Sequence, residues 1–255
     1  MAKVKEVFDI IDAAAPFHSA MDFDNVGILV GSGETEVTRA LLALDITPEV
    51  VREARDKNAN LIISHHPVIF HPLRSLEAES VPYLLARYGI TALCCHTNLD
   101  LSPVCGVNLA LAQKLNLQEV RGEEEYGEGF LLYSGVLPAP MDTLAFAVYV
   151  KDRLGAESVS FFAGNRPVSR VFLCSGAGGE YAAQAAMLGA DAFVTGEMKH
   201  SEMLEARASG ITAVAAGHYE TEKCFADMLA AYLRRQAPGL SLIQSRTETT
   251  PFASI

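Results

Sequence analysis

An α/β fold made of two similar, interlocked halves, each a mixed sheet flanked by helices, is predicted by three observations. Short apolar segments alternate with segments of helical periodicity along the whole chain, as strand and helix repeats require. The clusters of histidines and carboxylates fall directly after predicted strands. The second half of the chain also echoes the first, which reads as an internal duplication.

The elements follow from that alternation. In the first half, helical spacing marks 3–15, 48–58, 80–88 and 105–116, and apolar runs of strand length mark 26–30, 39–44, 60–64 and 90–95. In the second half, strands are read at 130–137, 157–162, 169–174, 191–195 and 211–215, with helices at 142–154, 179–188, 198–208 and 220–235. The acidic, glycine-rich "EVRGEEEYGEG" (119–129) is the expected linker, dividing the chain into halves 1–122 and 123–255. Two alignments carry the echo. "RALLALDITPEVVREARDKNANLIISHH" from Arg39 lines up with "RVFLCSGAGGEYAAQAAMLGADAFVTGEM" from Arg170. "YGITALCCHTNLD" (88–100) lines up with "SGITAVAAGHYETE" (209–222), where one extra residue separates strand from histidine.

Composition narrows the function classes. The chain has 255 residues, 50% of them hydrophobic, enough to bury a full core. Its formal charge of −11 would repel a phosphate backbone, and no basic cluster offsets it, so no nucleic-acid partner is expected. No apolar run is long enough to span a bilayer and the first residues lack a signal-peptide core, so no membrane partner and a cytoplasmic location are expected. The five cysteines form no CxxC pair and sit mostly in apolar stretches, as core residues of a reducing compartment do.

The chemistry sits at the strand ends. His65 and His66 follow strand 60–64, and Pro67 confines the His66 backbone to extended conformations. His96 and Asp100 follow strand 90–95, Glu197 follows 191–195, and His218 and Glu222 follow 211–215. In the first half these are His65, His66, His96 and Asp100; in the second, Glu197, His218 and Glu222. If a helix starts at His218, Glu222 shares its face four residues on; as an alternative, Glu220 and Glu222 are charges favoured at a helix N-terminus. Taken together, imidazoles and carboxylates gathered from several strand ends point to a metal, because burying them unpaired is costly. Five ligands, His65, His66, Asp100, His218 and Glu222, exceed the need of one tetrahedral zinc, so two divalent ions are the economical count, and metal-assisted hydrolysis of a small anionic substrate is the reaction class they favour. His18 and His71 lack such company and read as surface or hydrogen-bond-satisfied histidines. "GSGETE" (31–36) and "SGAGGE" (175–180) read as tight turns.

"FDNVGILVG" (23–31), "SHHPVIF" (64–70), "HTNLD" (96–100), "TGE" (195–197), "GHYETE" (217–222) and "TTPF" (249–252) occur in the order of a known family. The chain resembles the GTP cyclohydrolase 1 type 2 homologues, also called the NGG-interacting-factor-three-like family, over nearly its whole length. The resemblance implies that His65 and His218 hold one metal, His66 and Asp100 the other, and that Glu222 bridges them. It places His96 and Glu197 at the cavity as catalytic candidates, His96 first as a proton shuttle. The metal is zinc, iron or manganese by this donor set. The resemblance further implies a homohexamer, a trimer of dimers forming a toroid, in the compact form without a central insert. Phe23 stands where the family usually has tryptophan. The function expected is a GTP cyclohydrolase type 2-like hydrolase, with a non-catalytic metal-binding ring-shaped scaffold or metal-handling protein as the alternative.

Overall fold

Two sheets with the same central plan carry the chain. The computed structural model describes residues 2–251 and Ala253, so Phe252 of the terminal "TTPF" lies outside the described residues. The mixed α/β architecture expected from the alternation is what forms. The described residues divide into two compact units: those up to Gly106 together with Phe225–Thr249, and Val107–Cys224 with the described residues after Thr249.

In the first unit, strands Ala40–Ala43, Leu61–Ser64 and Thr91–Cys94 run parallel in that order. Gly27–Val30 adds antiparallel beside Thr91–Cys94. The parallel strands are buried at every position, so their sequences are near-continuously apolar rather than alternating, with Ser64 and Thr91 the polar exceptions. Helix Pro48–Asp56 begins after Thr47, whose hydroxyl accepts from the Val50 amide at 3.3 Å, with Pro48 in the first turn where its missing N–H is not needed. Its Val50, Val51 and Ala54 join Leu84 and Leu85 of helix Val81–Tyr88 against Leu41, Ile62 and Ala92.

In the second unit, strands Val168–Cys174, Ala192–Thr195 and Thr212–Ala215 run parallel, and Ser160–Phe162 adds antiparallel beside the last. Phe172 and Phe193 fill the core under helices Ala182–Met187 and His200–Ala208, whose Ala182, Ala185 and Ala206 allow close approach.

Three features differ from the sequence reading. Helix Phe225–Gln236 and strand Leu242–Gln244 belong to the first unit rather than the second half, because Leu242–Gln244 pairs parallel with Ala40–Ala43. The expected linker is structured: Gln118–Gly122 is a strand on Tyr133–Met141, and Glu125–Tyr126 with Gly129–Phe130 forms a small hairpin. Gln118–Gly122 is a largely exposed edge strand, where charge replaces the apolar alternation that would have marked it. A short helix, Thr97–Leu101, follows Thr91–Cys94 in a segment to which the sequence reading assigns no element. Among the described residues no helix is long and apolar enough to cross a membrane.

Candidate metal centre

The first unit gathers three imidazoles. The strand ladder continues past Ser64, with the His65 amide donating to the Ala43 carbonyl at 3.3 Å and the His66 amide to Leu44 at 2.9 Å. This fixes the backbone of both histidines at the carboxyl end of the sheet. Cys95 continues the neighbouring strand by donating to Ser64, and His96 follows it. The rings of His65, His66 and His96 lie 5.2 to 5.6 Å apart, centroid to centroid. One nitrogen from each lies within 4.8 Å of the other two, close enough to share an ion. Asp100 joins them because the Leu99 and Asp100 amides both donate to the His96 carbonyl, forming one helical turn that brings its Oδ1 to 3.5 Å from His65 Nε2.

What fits this cluster to a metal is the other side of each ring. His65 Nδ1 is 2.9 Å from the Cys95 carbonyl oxygen. A carbonyl only accepts, so Nδ1 carries the proton, and in the neutral imidazole Nε2 turns its lone pair toward the Asp100 carboxylate. Two electron-rich atoms facing one another need a cation or a proton between them. His66 Nδ1 is 2.8 Å from Asp45 Oδ1, and His96 Nδ1 is 2.8 Å from Asp24 Oδ1. Ionised carboxylates at Nδ1 orient a histidine so that Nε2 can ligate. Burial raises the Asp24 carboxyl, but hydrogen bonds from His96 and from the Thr97 hydroxyl and amide outweigh it and bring the pKa down to about 2.

The second unit repeats the arrangement with one histidine. Gly217, at φ 100°, turns the chain out of strand Thr212–Ala215 and starts the five-residue helix His218–Glu222. His218 and Glu222 therefore share a face, with Nε2 at 3.1 Å from Glu222 Oε2. His218 Nδ1 is 3.0 Å from Glu197 Oε1. Glu222 is 3% exposed, so its carboxylate is more than a solvated helix-terminal charge. Gly176 lies against it at φ 60°, and a Cβ there would stand 2.2 Å from Glu222 Oε1. A cavity of about 470 Å³ adjoins, lined by Glu157, Glu197, Glu220 and Met198 among others, with no lysine or arginine in its wall.

Of the sequence-predicted residues, His65, His66, His96 and Asp100 thus meet in the first unit, and Glu197, His218 and Glu222 in the second. Asp24 and Asp45 had no role in the sequence reading. Asp45 lies two residues past the strand Ala40–Ala43, so the strand-end rule that found the histidines also reaches it; Asp24 lies in "FDNVG" but 72 residues from its partner His96. Glu248 was also missed. Its Oε1 accepts from the Asp45 amide at 2.8 Å, and burial pushes its carboxyl up to about 7.

Two units of repeated topology, with histidine and carboxylate groups able to hold metal at strand ends, define a class of α/β metal-site proteins. The chain belongs to the Duf34/NIF3 (NGG1p interacting factor 3) family, whose model matches residues 2–251. It is 29% identical to a Campylobacter jejuni protein named GTP cyclohydrolase 1 type 2 homolog, over 91% of this chain and 92% of that one. It is similar to the crystal structure of Staphylococcus aureus protein SA1388, with a TM-score of 0.91 and 28% identity over 99% of each chain. Protein ybgI, of unknown function, matches with a TM-score of 0.86 and 26% identity over 97% of this chain and 99% of that one.

Proposed function

We propose that this protein is a metal-dependent hydrolase that holds two divalent ions per chain. The residues that would hold them are His65, His66 and Asp100 in the first unit and His218 and Glu222 in the second. The observation that carries the reading is that all four clustered histidines hold Nδ1 against an oxygen acceptor, which assigns Nε2 to metal binding in His65, His66 and His218 and to proton transfer in His96. The naming of the curated relatives after GTP cyclohydrolase supports hydrolysis as the class.

When bound, the ions supply Lewis acidity and a water acidified into the neutral pH range. The chain supplies the rest. His65, His66 and His218 bind through nitrogens whose rings are already oriented, so no rotamer search accompanies loading. His96, held by Asp24, presents Nε2 as the proton carrier, with Asp24 stabilising the charge that His96 gains. Glu197 orients His218 and lines the cavity. The acidic cavity wall supplies no attraction for a small anionic substrate, so positive charge has to come from the loaded ions. The same reading includes a cytoplasmic homohexamer, checked by the mass of the assembly in solution.

The test is a screen of metal-reconstituted protein against nucleotides, phosphoesters and amides, with His218→Ala as the blank. Turnover lost in the variant supports the hydrolase. Equal residual turnover in both removes it and leaves the metal-binding scaffold.

A further inference from the structure

A second cavity, of about 590 Å³, lies within the first unit, and its wall reverses the charge balance of the chain. Arg39, Lys57, Arg234 and Arg246 line it with a single carboxylate, Glu53, whereas the whole chain has 31 acidic residues against 20 basic ones. The four cations are too scattered along the sequence to read as a basic cluster, and folding brings them together. Arg39 directly precedes strand Ala40–Ala43 and Lys57 closes helix Pro48–Asp56. Arg234 lies in the last turn of helix Phe225–Gln236, and Arg246 lies two residues past strand Leu242–Gln244.

The lone carboxylate is already spent on the fold. Glu53 accepts from the Ser245 hydroxyl at 2.7 Å, the Arg246 amide at 3.1 Å and the Thr247 hydroxyl at 3.1 Å, so it fixes the backbone that carries Arg246. Arg39 is fixed as well. Its Nε donates to Ser241 Oγ at 3.1 Å and its Nη1 to the Lys57 carbonyl at 2.6 Å, which leaves three of five guanidinium N–H groups unused. Among the described residues, Lys57 Nζ and the guanidinium groups of Arg234 and Arg246 make no hydrogen bond or ion pair.

Elsewhere on the first unit, surface cations stand beside carboxylates, as Lys5 does with Asp9 and Arg52 with Glu49. Lys57 and Arg234 have one other reason for their place, since helix C-termini favour positive charge. Arg39 and Arg246 have no such reason, and a guanidinium held in place with donors to spare suits an oxyanion. The volume falls within the roughly 300 to 1,000 Å³ of small-molecule sites. A long anionic polymer is disfavoured by the formal charge of −11, whereas screening over about 8 Å leaves a compact anion to the local wall.

We propose that this cavity binds a compact polyanion, a small molecule carrying two or more phosphate or carboxylate groups. Four cations against one hydrogen-bonded carboxylate set the need for more than one negative charge. The cavity shares no residue with the histidine clusters, so the site requires neither bound ions nor turnover and is independent of the hydrolase reading.

Lys57 is the reporter. Metal-loaded, full-length protein is acetylated for a limited time in rising concentrations of pyrophosphate or citrate, and labelling of Lys57 and of the exposed Lys5 is read by peptide mass spectrometry. At ten times the Kd of a probe, Lys57 should label about tenfold more slowly, with Lys5 unchanged. Protection by pyrophosphate alone assigns phosphate groups, by citrate alone carboxylates, and by both a site that reads charge. Arg39→Gln should raise the concentration needed roughly 10- to 150-fold. Arg234→Gln, which removes no hydrogen bond of the fold, should raise it by a smaller factor. His218→Ala should leave protection unchanged. No protection by either probe overturns the site. So does protection lost in His218→Ala, which would assign the anion to the metal centre, or protection kept in Arg39→Gln, or in Arg234→Gln should the first not fold. Protection of Lys57 that grows with protein concentration alone also overturns it and assigns the cavity to contact with a second copy.

Discussion

The two units share a plan and differ in what they place on it. Each contains a run of three parallel strands with an antiparallel strand added beside the third, and in each that antiparallel strand precedes the three in the chain. Register makes the comparison residue by residue. Ser64 pairs with Cys94, and Thr195 with Ala215. Two residues past the second parallel strand stand His66 in one unit and Glu197 in the other. Two residues past the first stand Asp45 and Gly176. Past the third, His96 follows Cys94 by two residues and His218 follows Ala215 by three, the extra one being Gly217. The first unit thus puts an imidazole where the second puts its carboxylate acceptor, and an acceptor where the second needs empty space. One scaffold supports both because strand ends fix where a side chain starts and leave its chemistry open.

The largest effect that would break this comparison is at Glu222. If it alone touches both ions, Glu222→Gln should weaken both by roughly a hundredfold or more, while His65→Ala empties one site. Elemental analysis of the two variants side by side decides it, and two ions retained in the glutamine variant would end the bridging role. Gly176→Ala should come next. A Cβ at φ 60° is strained and would stand 2.2 Å from Glu222 Oε1, so a loss of about 3 kcal/mol in chemical denaturation is expected, with metal lost as Glu222 moves. Asp45→Ala, its counterpart, should instead leave the fold intact and lower metal affinity roughly 10- to 100-fold, because only the acceptor behind His66 is removed. Equal stability losses at the two positions would remove the contrast.

Asp24 sharpens the comparison through pH. Its folded pKa of about 2 lies below the ordinary carboxyl value of 3.8, so its stabilising contribution is complete above pH ~4 and is lost as pH falls toward 2. That contribution is about 2 kcal/mol, and Asp24→Asn should flatten the acid limb of the stability profile by that amount. An unchanged acid limb would show that the carboxylate adds nothing beyond shape. The smallest effect is expected at Glu197. Its side chain is 55% exposed, so Glu197→Gln should change stability by less than about 1 kcal/mol while weakening metal binding less than Asp45→Ala does.

The sequence alone determined the central strands of both sheets, most helices and every histidine and carboxylate of the two clusters, because these are local signals. Buried parallel strands must be apolar throughout, and ligands must follow them, so "LIISHH" and "GHYETE" can be read without knowing what they pair with. Tertiary structure alone decided which groups stand behind those ligands and which sheet the last segment joins. Asp24 meets His96 across 72 residues, and Leu242–Gln244 returns to Ala40–Ala43 across about 200. The exposed strand Gln118–Gly122 was illegible for a related reason: its order comes from hydrogen bonds to Tyr133–Met141 rather than from burial. Hydrogen-bond partners leave no period in a sequence, whereas burial leaves one at every turn or every second residue.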